Sequence, residues 1–383
     1  GALVWMWISA AFGLTSKFSE CMLAIKYREV NAKGEMSGGP MYTMKKGLKN
    51  KTFGTILAWL FALFAVIASF GIGNMTQGNS IASALHSTFN VPTQISGVVI
   101  TVLSLVIIVG GIKSISKVSA VVVPTMAIFY VICGLIVIIG NISNLPSGLA
   151  MIFKMAFSVK AVGGGLCGSI VASMMNAMRF GVARGVFSNE AGMGCGAIVS
   201  AAAECSHPAK QGLIQSFSIY VDTLFIGTAT ALIILLTGTF DVCDSAGNLL
   251  LSQTGGIEAG IKWTQHALMN TYGTWSGKVL AIVIVLFVFT SMTGYCYQAE
   301  ANIRYLTGNS KLAVNICRAV FLAASFFGAL VNADAIWSMG DIGYGLMAWA
   351  NIIAIALLAP KASAILKDYE QQKKEGKNPV FDP

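Results

Sequence analysis

Residues 178–194 read Met178-Arg179-Phe180-Gly181-Val182-Ala183-Arg184-Gly185-Val186-Phe187-Ser188-Asn189-Glu190-Ala191-Gly192-Met193-Gly194: two arginines, one carboxylate and four glycines in the middle of an apolar stretch. That stretch runs from Leu166 to Ala202, 37 residues. As a straight helix it would be about 55 Å long at about 1.5 Å per residue, against a hydrocarbon layer of about 30 Å. One uninterrupted membrane helix does not account for it, and its charges would be costly on a lipid-facing rod. The pattern predicts a helix broken around Phe180 to Gly185, whose half-helix ends meet a polar ligand through their backbone dipoles. The competing reading is an ordinary glycine kink with Arg184 and Glu190 paired for packing.

Similar apolar runs recur on both sides of this one, at about 2–25, 53–85, 93–112, 118–140, 212–240, 277–299, 312–331 and 335–359. Each offers the roughly 20 residues that a helix needs to cross a bilayer. Composition agrees: 55% of residues are hydrophobic and 11% charged, with a mean hydropathy of +0.72. The runs are too long for barrel strands, and hydrocarbon leaves backbone groups no partners, so the expected class is an all-α polytopic membrane protein. The domain expected is one transmembrane unit over 1–360, with nine spans and the 166–202 span broken, followed by a tail over 361–383.

The net charge of +9 would suggest nucleic acid in a soluble chain. Here 18 of the 25 basic residues fall in every second connector or in the tail, from Lys26 to Lys51, Lys113 and Lys117, Lys210, Arg304 to Arg318, and Lys361 to Lys377. Membrane orientation explains that pattern without a nucleic-acid partner. The positive-inside rule puts the 26–52 connector and the tail in the cytoplasm, and nine spans then put Gly1 outside. Gly1 is not an initiator Met, and neither a charged leader nor a cleavage site precedes the first apolar run, so the expectation is an N-terminally truncated chain. The eight cysteines show no CxxC pair and read as buried thiols.

Polar side chains inside the runs are the candidates for function. Asn74, Gln77 and Ser80 recur at three-residue intervals beside Gly71, Gly73 and Gly78. They read as the polar wall of a cavity or as interhelical glue. Thr290, Ser291 and Thr293 put three hydroxyls in one turn; such oxygens suit a small hard cation but also bond back to the preceding turn. Lys17 and Glu20 read as an intrahelical pair. Asp222, Glu300 and Asp341 read as paired structural charges, with proton relay as the alternative. His86, His207 and His266 share no ligand spacing. No serine elbow, nucleotide loop or HExxH motif is present, so chemistry on a substrate is not expected, nor is a cofactor.

Three blocks of this sequence carry a family resemblance. Gly1-Ala2-Leu3-Val4-Trp5-Met6-Trp7 begins one, Gly38-Gly39-Pro40-Met41-Tyr42 is the second, and Phe187-Ser188-Asn189-Glu190-Ala191-Gly192-Met193-Gly194, followed by His207-Pro208 and Gln211-Gly212, is the third. They resemble the alanine or glycine:cation symporters, also called the sodium:alanine symporter family, over essentially the whole length. Val4 stands where that family usually has Phe, and Tyr295 where it typically has Trp. The resemblance implies a LeuT-like inverted-repeat helical bundle, here lacking its first core helix.

It also implies the site. Asn74, Gln77 and Tyr295 would face the substrate, with backbone at Gly181 and Gly185, Phe180 and Phe187 as apolar walls, and Asn189 beside them. Thr290 and Ser291 would ligate sodium. The function implied is sodium-coupled symport of a small neutral amino acid, alanine or glycine, across the plasma membrane by alternating access. Its partners would be that amino acid, sodium as co-transported ion, and the lipid bilayer. The alternatives are a proton-coupled amino-acid transporter, with Glu190 or Asp222 titrating, or an inactive truncated fragment of a symporter.

Overall fold

Helix begins almost at the first residue: α1 spans Ala2–Lys26. The architecture is that of a computed structural model, which describes residues 1–30, 36–109, 111–157, 168–243, 249–251, 254, 255, 257, 261–331 and 333–381. Lys33, Lys160, Leu166 and Cys167 therefore lie outside the described residues. After α1, a short antiparallel hairpin of β1 (Glu29–Val30) and β2 (Met36–Ser37) leads to α2 (Pro40–Gly47), with proline in its first turn. Then come α3 (Lys51–Phe70), α4 (Thr76–Phe89), α5 (Thr93–Val109), α6 (Gly111–Gly140), α7 (Leu145–Phe157), α8 (Gly168–Asn189), α9 (Cys195–Ser200), α10 (Pro208–Ile219) and α11 (Thr228–Leu236). A second hairpin, β3 (Val242–Cys243) with β4 (Leu249–Leu251), precedes α12 (Ile261–Tyr272), α13 (Thr274–Leu306), α14 (Lys311–Gly328) and α15 (Ala333–Lys374).

Local chemistry sets several of these boundaries. Asn50 caps α3 by accepting the Phe53 N–H at 3.0 Å, Ser310 caps α14 through the Ala313 N–H, and His207 caps α10 through the Ala209 N–H ahead of Pro208. Each cap takes up one of the donors that a helix start leaves without an intrahelical acceptor. α3 and α4 are joined without interruption by a π-helical turn, Gly71–Met75. α10 and α11 are joined by another, Tyr220–Gly227. Such turns widen the rod locally and are frequent at functional sites.

Six helices among the described residues are long and apolar enough to cross a membrane: Lys51–Phe89, Ile115–Gly140, Pro208–Leu236, Thr274–Leu306, Lys311–Gly328 and Gly340–Lys374. Thr93–Ile108 is a shorter apolar helix. Outward faces carry Trp59, Leu63, Val102, Val106, Ile132 and Ile136, as expected where lipid rather than water surrounds the protein. The expected boundary between last span and tail falls inside one helix. α15 runs on through Pro360 to Lys374, because the residues beyond it (Lys, Ala, Leu, Glu, Gln) favour helix even in water. The segment after it folds back: the Phe381 N–H donates to the Ser206 carbonyl at 2.8 Å, and Gln372 bonds both backbone groups of Val380.

Two sets of helices pack tightly within themselves. α1 lies against α8 and α10, while α3 lies against α13 and α15, and α14 against α5. The main core, which includes Met22, Phe61, Ile72, Met193, Phe321 and Met347, fills the space between them.

The expected break around Phe180 to Gly185 is not found there, since α8 is helical through Asn189. Gly181 and Gly185 are four apart and share a helix face, and that face is pressed on α1. A Cβ at Gly181 would overlap the Ala2 carbonyl and the Trp5 Cβ. These glycines permit close helix approach rather than release backbone for a ligand. Gly181→Ala should therefore destabilise the fold by about 1–3 kcal/mol through overpacking, seen as a lower unfolding midpoint in detergent. Gly185→Ala, whose Cβ would sit 3.1 Å from the flexible Met6 side chain, should shift it much less.

Candidate functional site at the interrupted helix

The chain leaves helical geometry just beyond α8. Glu190, Gly192 and Gly194 have φ of 55°, 80° and 89°, left-handed values that glycine adopts freely and that cost other L-residues roughly 1–2 kcal/mol. α9 starts directly afterwards, at Cys195. The interruption anticipated for the Leu166–Ala202 stretch thus lies over Glu190–Gly194. It falls where Gly-x-Gly supplies positive φ.

An interruption inside a bundle exposes carbonyls at one helix end and amides at the next, and each needs a partner. Distant side chains provide them. Lys17 Nζ donates to the Asn189 carbonyl at 3.0 Å. Glu20 Oε2 accepts the Gly194 N–H at 3.0 Å and the Asn351 amide at 2.7 Å. Asn351 also donates to the Gly192 carbonyl at 3.0 Å, and Asn189 Oδ1 accepts the Ala191 N–H at 3.0 Å. Lys17 and Glu20 are each only 3% exposed. The ammonium meets the negative end of α8 and the carboxylate meets the amide that opens α9, which is the arrangement helix dipoles favour. The expected Lys17–Glu20 intrahelical pair is thus directed across to another helix, because the uncapped backbone there offers stronger partners than solvent would.

Glu190 itself bonds the Tyr295 hydroxyl, which in turn bonds that of Tyr344. The Phe187 ring packs on Tyr344 at 5.7 Å. One residue before the break's Asn189, Ser188 Oγ donates to Asp222 Oδ2 at 2.5 Å. Glu20 Oε1 and Asn189 Nδ2 are buried without a hydrogen-bond partner among the described residues. Orphaned atoms of this kind mark places where water or a ligand completes the bonding.

Of the residues singled out from the sequence, Phe187, Asn189 and Tyr295 come together at this break. Gly181 and Gly185 serve the α1–α8 contact instead, and Phe180 is 52% exposed on the outer face of α8. Asn74 is fully buried, but its amide is used elsewhere. It donates to the Phe321 carbonyl at 2.6 Å and accepts from Ser325 at 2.5 Å, so it glues its helix to α14, as buried amides in hydrocarbon do. Gln77 is half-buried and donates to the Ile72 carbonyl at 3.3 Å. Thr290 and Ser291 both donate to the Phe287 carbonyl, at 2.9 and 3.1 Å, the back-bonding common to hydroxyls within helices. Glu300 pairs with Arg318 at 2.6 Å, and Asp341 with Arg184 at 3.2 Å.

Four residues at the break were not read as part of it from sequence: Lys17, Glu20, Asn351 and Tyr344. The signal available was the rarity of charge within an apolar run; it marked Lys17 and Glu20 without naming their partners.

Comparison with known proteins decides the family. A profile described as "Sodium:alanine symporter family" matches residues 1–383. The chain belongs to that family. It is 43% identical to the putative sodium/proton-dependent alanine carrier protein YrbD of Bacillus subtilis (strain 168), over all of this chain and 77% of that protein. It is 40% identical to a sodium/proton-dependent alanine carrier protein of Bacillus sp. (strain PS3), over all of this chain and 83% of that one. With the sodium/alanine symporter AgcS of Methanococcus maripaludis it shares 37% identity, over 99% of this chain and 79% of the relative. A symporter of this family is a transporter rather than an enzyme.

Removing either side-chain charge at the break leaves a buried backbone group without its partner, at a cost of about 1–3 kcal/mol. Lys17→Met and Glu20→Gln should each lower the unfolding midpoint in detergent. The double variant should lose less than the summed single losses, since the two charges share one network.

Proposed function

We propose that this chain carries alanine together with sodium across the plasma membrane by alternating access. The observation that carries the reading is the interruption at Glu190–Gly194, preceded by Asn189, whose buried Nδ2 has no partner among the described residues, and bordered by the Tyr295 hydroxyl and by the Phe187 ring packed on Tyr344. A zwitterion at mid-membrane needs donors for its carboxylate and acceptors for its ammonium. Asn189 Nδ2 is a buried donor with no acceptor among the described residues, and Gln77, on another helix, is assigned as an acceptor through its amide oxygen. Phe187 and Tyr295 bound a small apolar side chain such as a methyl group.

Sodium is assigned to Thr290 and Ser291. A hydroxyl that donates its proton to Phe287 keeps its oxygen lone pairs, so back-bonding orients these two oxygens without using them up. Coupling requires that sodium and alanine together favour a different state from either alone. The interrupted helix is the element whose geometry both would bias. The bundle is assigned to the LeuT-like inverted-repeat class, with nine spans, the 26–52 connector and the C-terminus cytoplasmic and residue 1 outside. The one-sided distribution of the basic connectors supports that orientation.

A second reading has its own observation. Glu190 is a carboxylate within the break, bonded through Tyr295 to Tyr344, and a chain of this kind suits proton coupling. Uptake of labelled alanine into proteoliposomes separates the two. Replacing Thr290 and Ser291 together by Ala should reduce sodium-stimulated uptake by at least about tenfold while leaving sodium-free alanine exchange in place. Unchanged sodium dependence would remove these two from the site, and uptake that follows pH and ignores sodium would select Glu190. Asn189→Ala should raise the alanine KM by about one order of magnitude, the loss of one hydrogen bond to a charged group, and a KM unaffected by it would remove Asn189.

A further inference from the structure

The His207-Pro208 pair of the third motif block has no part in the interruption. It belongs instead to a contact made by the segment that follows α15. That segment turns back at Gly376, whose φ of 74° suits glycine, and crosses the start of α10. Ser206 Oγ donates to the Pro379 carbonyl at 3.0 Å, the Phe381 N–H donates to the Ser206 carbonyl at 2.8 Å, and Lys210 Nζ donates to Asn378 Oδ1 at 2.6 Å. The Lys26 ammonium, in the last turn of α1, lies 5.2 Å above the Phe381 ring. His207 is fully buried, with the rings of Tyr369 and Phe381 at 5.1 and 5.5 Å. Its Nδ1 accepts the Ala209 N–H, so Nε2 carries the proton and donates to Asp368 Oδ2 at 3.1 Å.

These bonds join the two sets of helices. Lys26 and His207 belong with α1 and α10, whereas Asp368, Tyr369 and Gln372 belong to α15, which packs on α3. The strap of residues 378–381 is fastened along both edges: Ser206 holds it on the α10 side, and Gln372 bonds both backbone groups of Val380 on the α15 side. Beside it, Lys361 of α15 donates to the Gly47 carbonyl at 2.7 Å and lies 5.7 Å above the Tyr27 ring. The strap's own fastenings are polar, and Val380 is 60% exposed. Each such bond exchanges with water for a small net gain, so together they bias an equilibrium and still part within a working cycle.

We propose that residues 378–381 and His207 form a clasp that holds α1 and α10 against α15 on this face of the membrane, and that it must part each time the seam between the helix sets opens toward that face. The strap favours the closed arrangement because its bonds exist only there. The inference rests on the alternating-access reading, which assigns this face to the cytoplasm, and goes beyond it by naming a contact that biases one of the alternating states.

The test reads a thiol remote from the strap. Cys195 opens α9, is 1% exposed, and its helix packs on α13 across the seam, so N-ethylmaleimide reaches it when the seam opens. Removing residues 378–383 should raise the rate of Cys195 labelling, read by peptide mass spectrometry, by about fivefold, the effect of losing one net hydrogen bond from the closed state. Should the shortened chain not fold, Asn378→Ala and Phe381→Ala carry the same test, since both leave the His207 cap in place. In the opposite direction, Ser206→Cys and Pro379→Cys in a Cys205→Ser background, bridged by a short reducible bis-thiosulfonate, should slow both Cys195 labelling and alanine exchange at least tenfold, with recovery on reduction. Labelling indifferent to release of the strap overturns the clasp, and so does undiminished labelling in the bridged protein. Labelling needs no transport: failure of alanine uptake by the unaltered protein would strike the transport reading and leave the clasp to be judged on Cys195.

Discussion

The interruption between α8 and α9 is possible because two buried charges on another helix complete it. Lys17 caps the carbonyl end at Asn189 and Glu20 caps the amide at Gly194, with Asn351 bridging Glu20 to Gly192. In hydrocarbon each such backbone group left alone would cost several kcal/mol. The positive φ angles at Glu190, Gly192 and Gly194 persist because that network holds the backbone on either side of them. Without it the segment would return to regular helix, and the cluster of Phe187, Asn189 and Tyr295 would have no reason to face one place.

The same network ties together the two sets of helices. Lys17 and Glu20 belong to α1, packed with α8 and α10; Asn351, Tyr344 and Tyr295 belong to α15 and α13, packed with α3. The bonds of Glu20 to Asn351 and of Glu190 to Tyr295 therefore cross the seam between them. A carrier that alternates access must remodel contacts at such a seam while keeping its packed groups intact. Glycines serve the packing within groups, as at Gly181 against α1, and also the close approach at Gly73, where a Cβ would run into the Tyr295 ring.

Several readings from the linear chain transferred with little change. Helices occupy the apolar runs, the all-helical membrane class holds, and the third motif block, Phe187 to Gly194, coincides with the interruption. Ambiguity arose where one residue type serves two purposes. Gly181 and Gly185 beside two arginines looked like a helix breaker, yet glycine four apart is equally a packing stripe. Asn74 and Gln77 read either as a cavity wall or as interhelical glue, and Asn74 spends its amide on Phe321 and Ser325. Neither choice can be made without knowing which helix lies opposite.

Hydropathy and motif identity are properties of neighbours along the chain, so the sequence by itself determined the solvent, the helical class and the family. Several hydrogen-bond partners of the break lie far from it in sequence; Lys17 and Asn189 are 172 positions apart. Only the tertiary structure decided where the helix stops and which charges hold it open. The physical reason is that burial without water makes each polar group depend on a partner supplied by packing, not by sequence proximity.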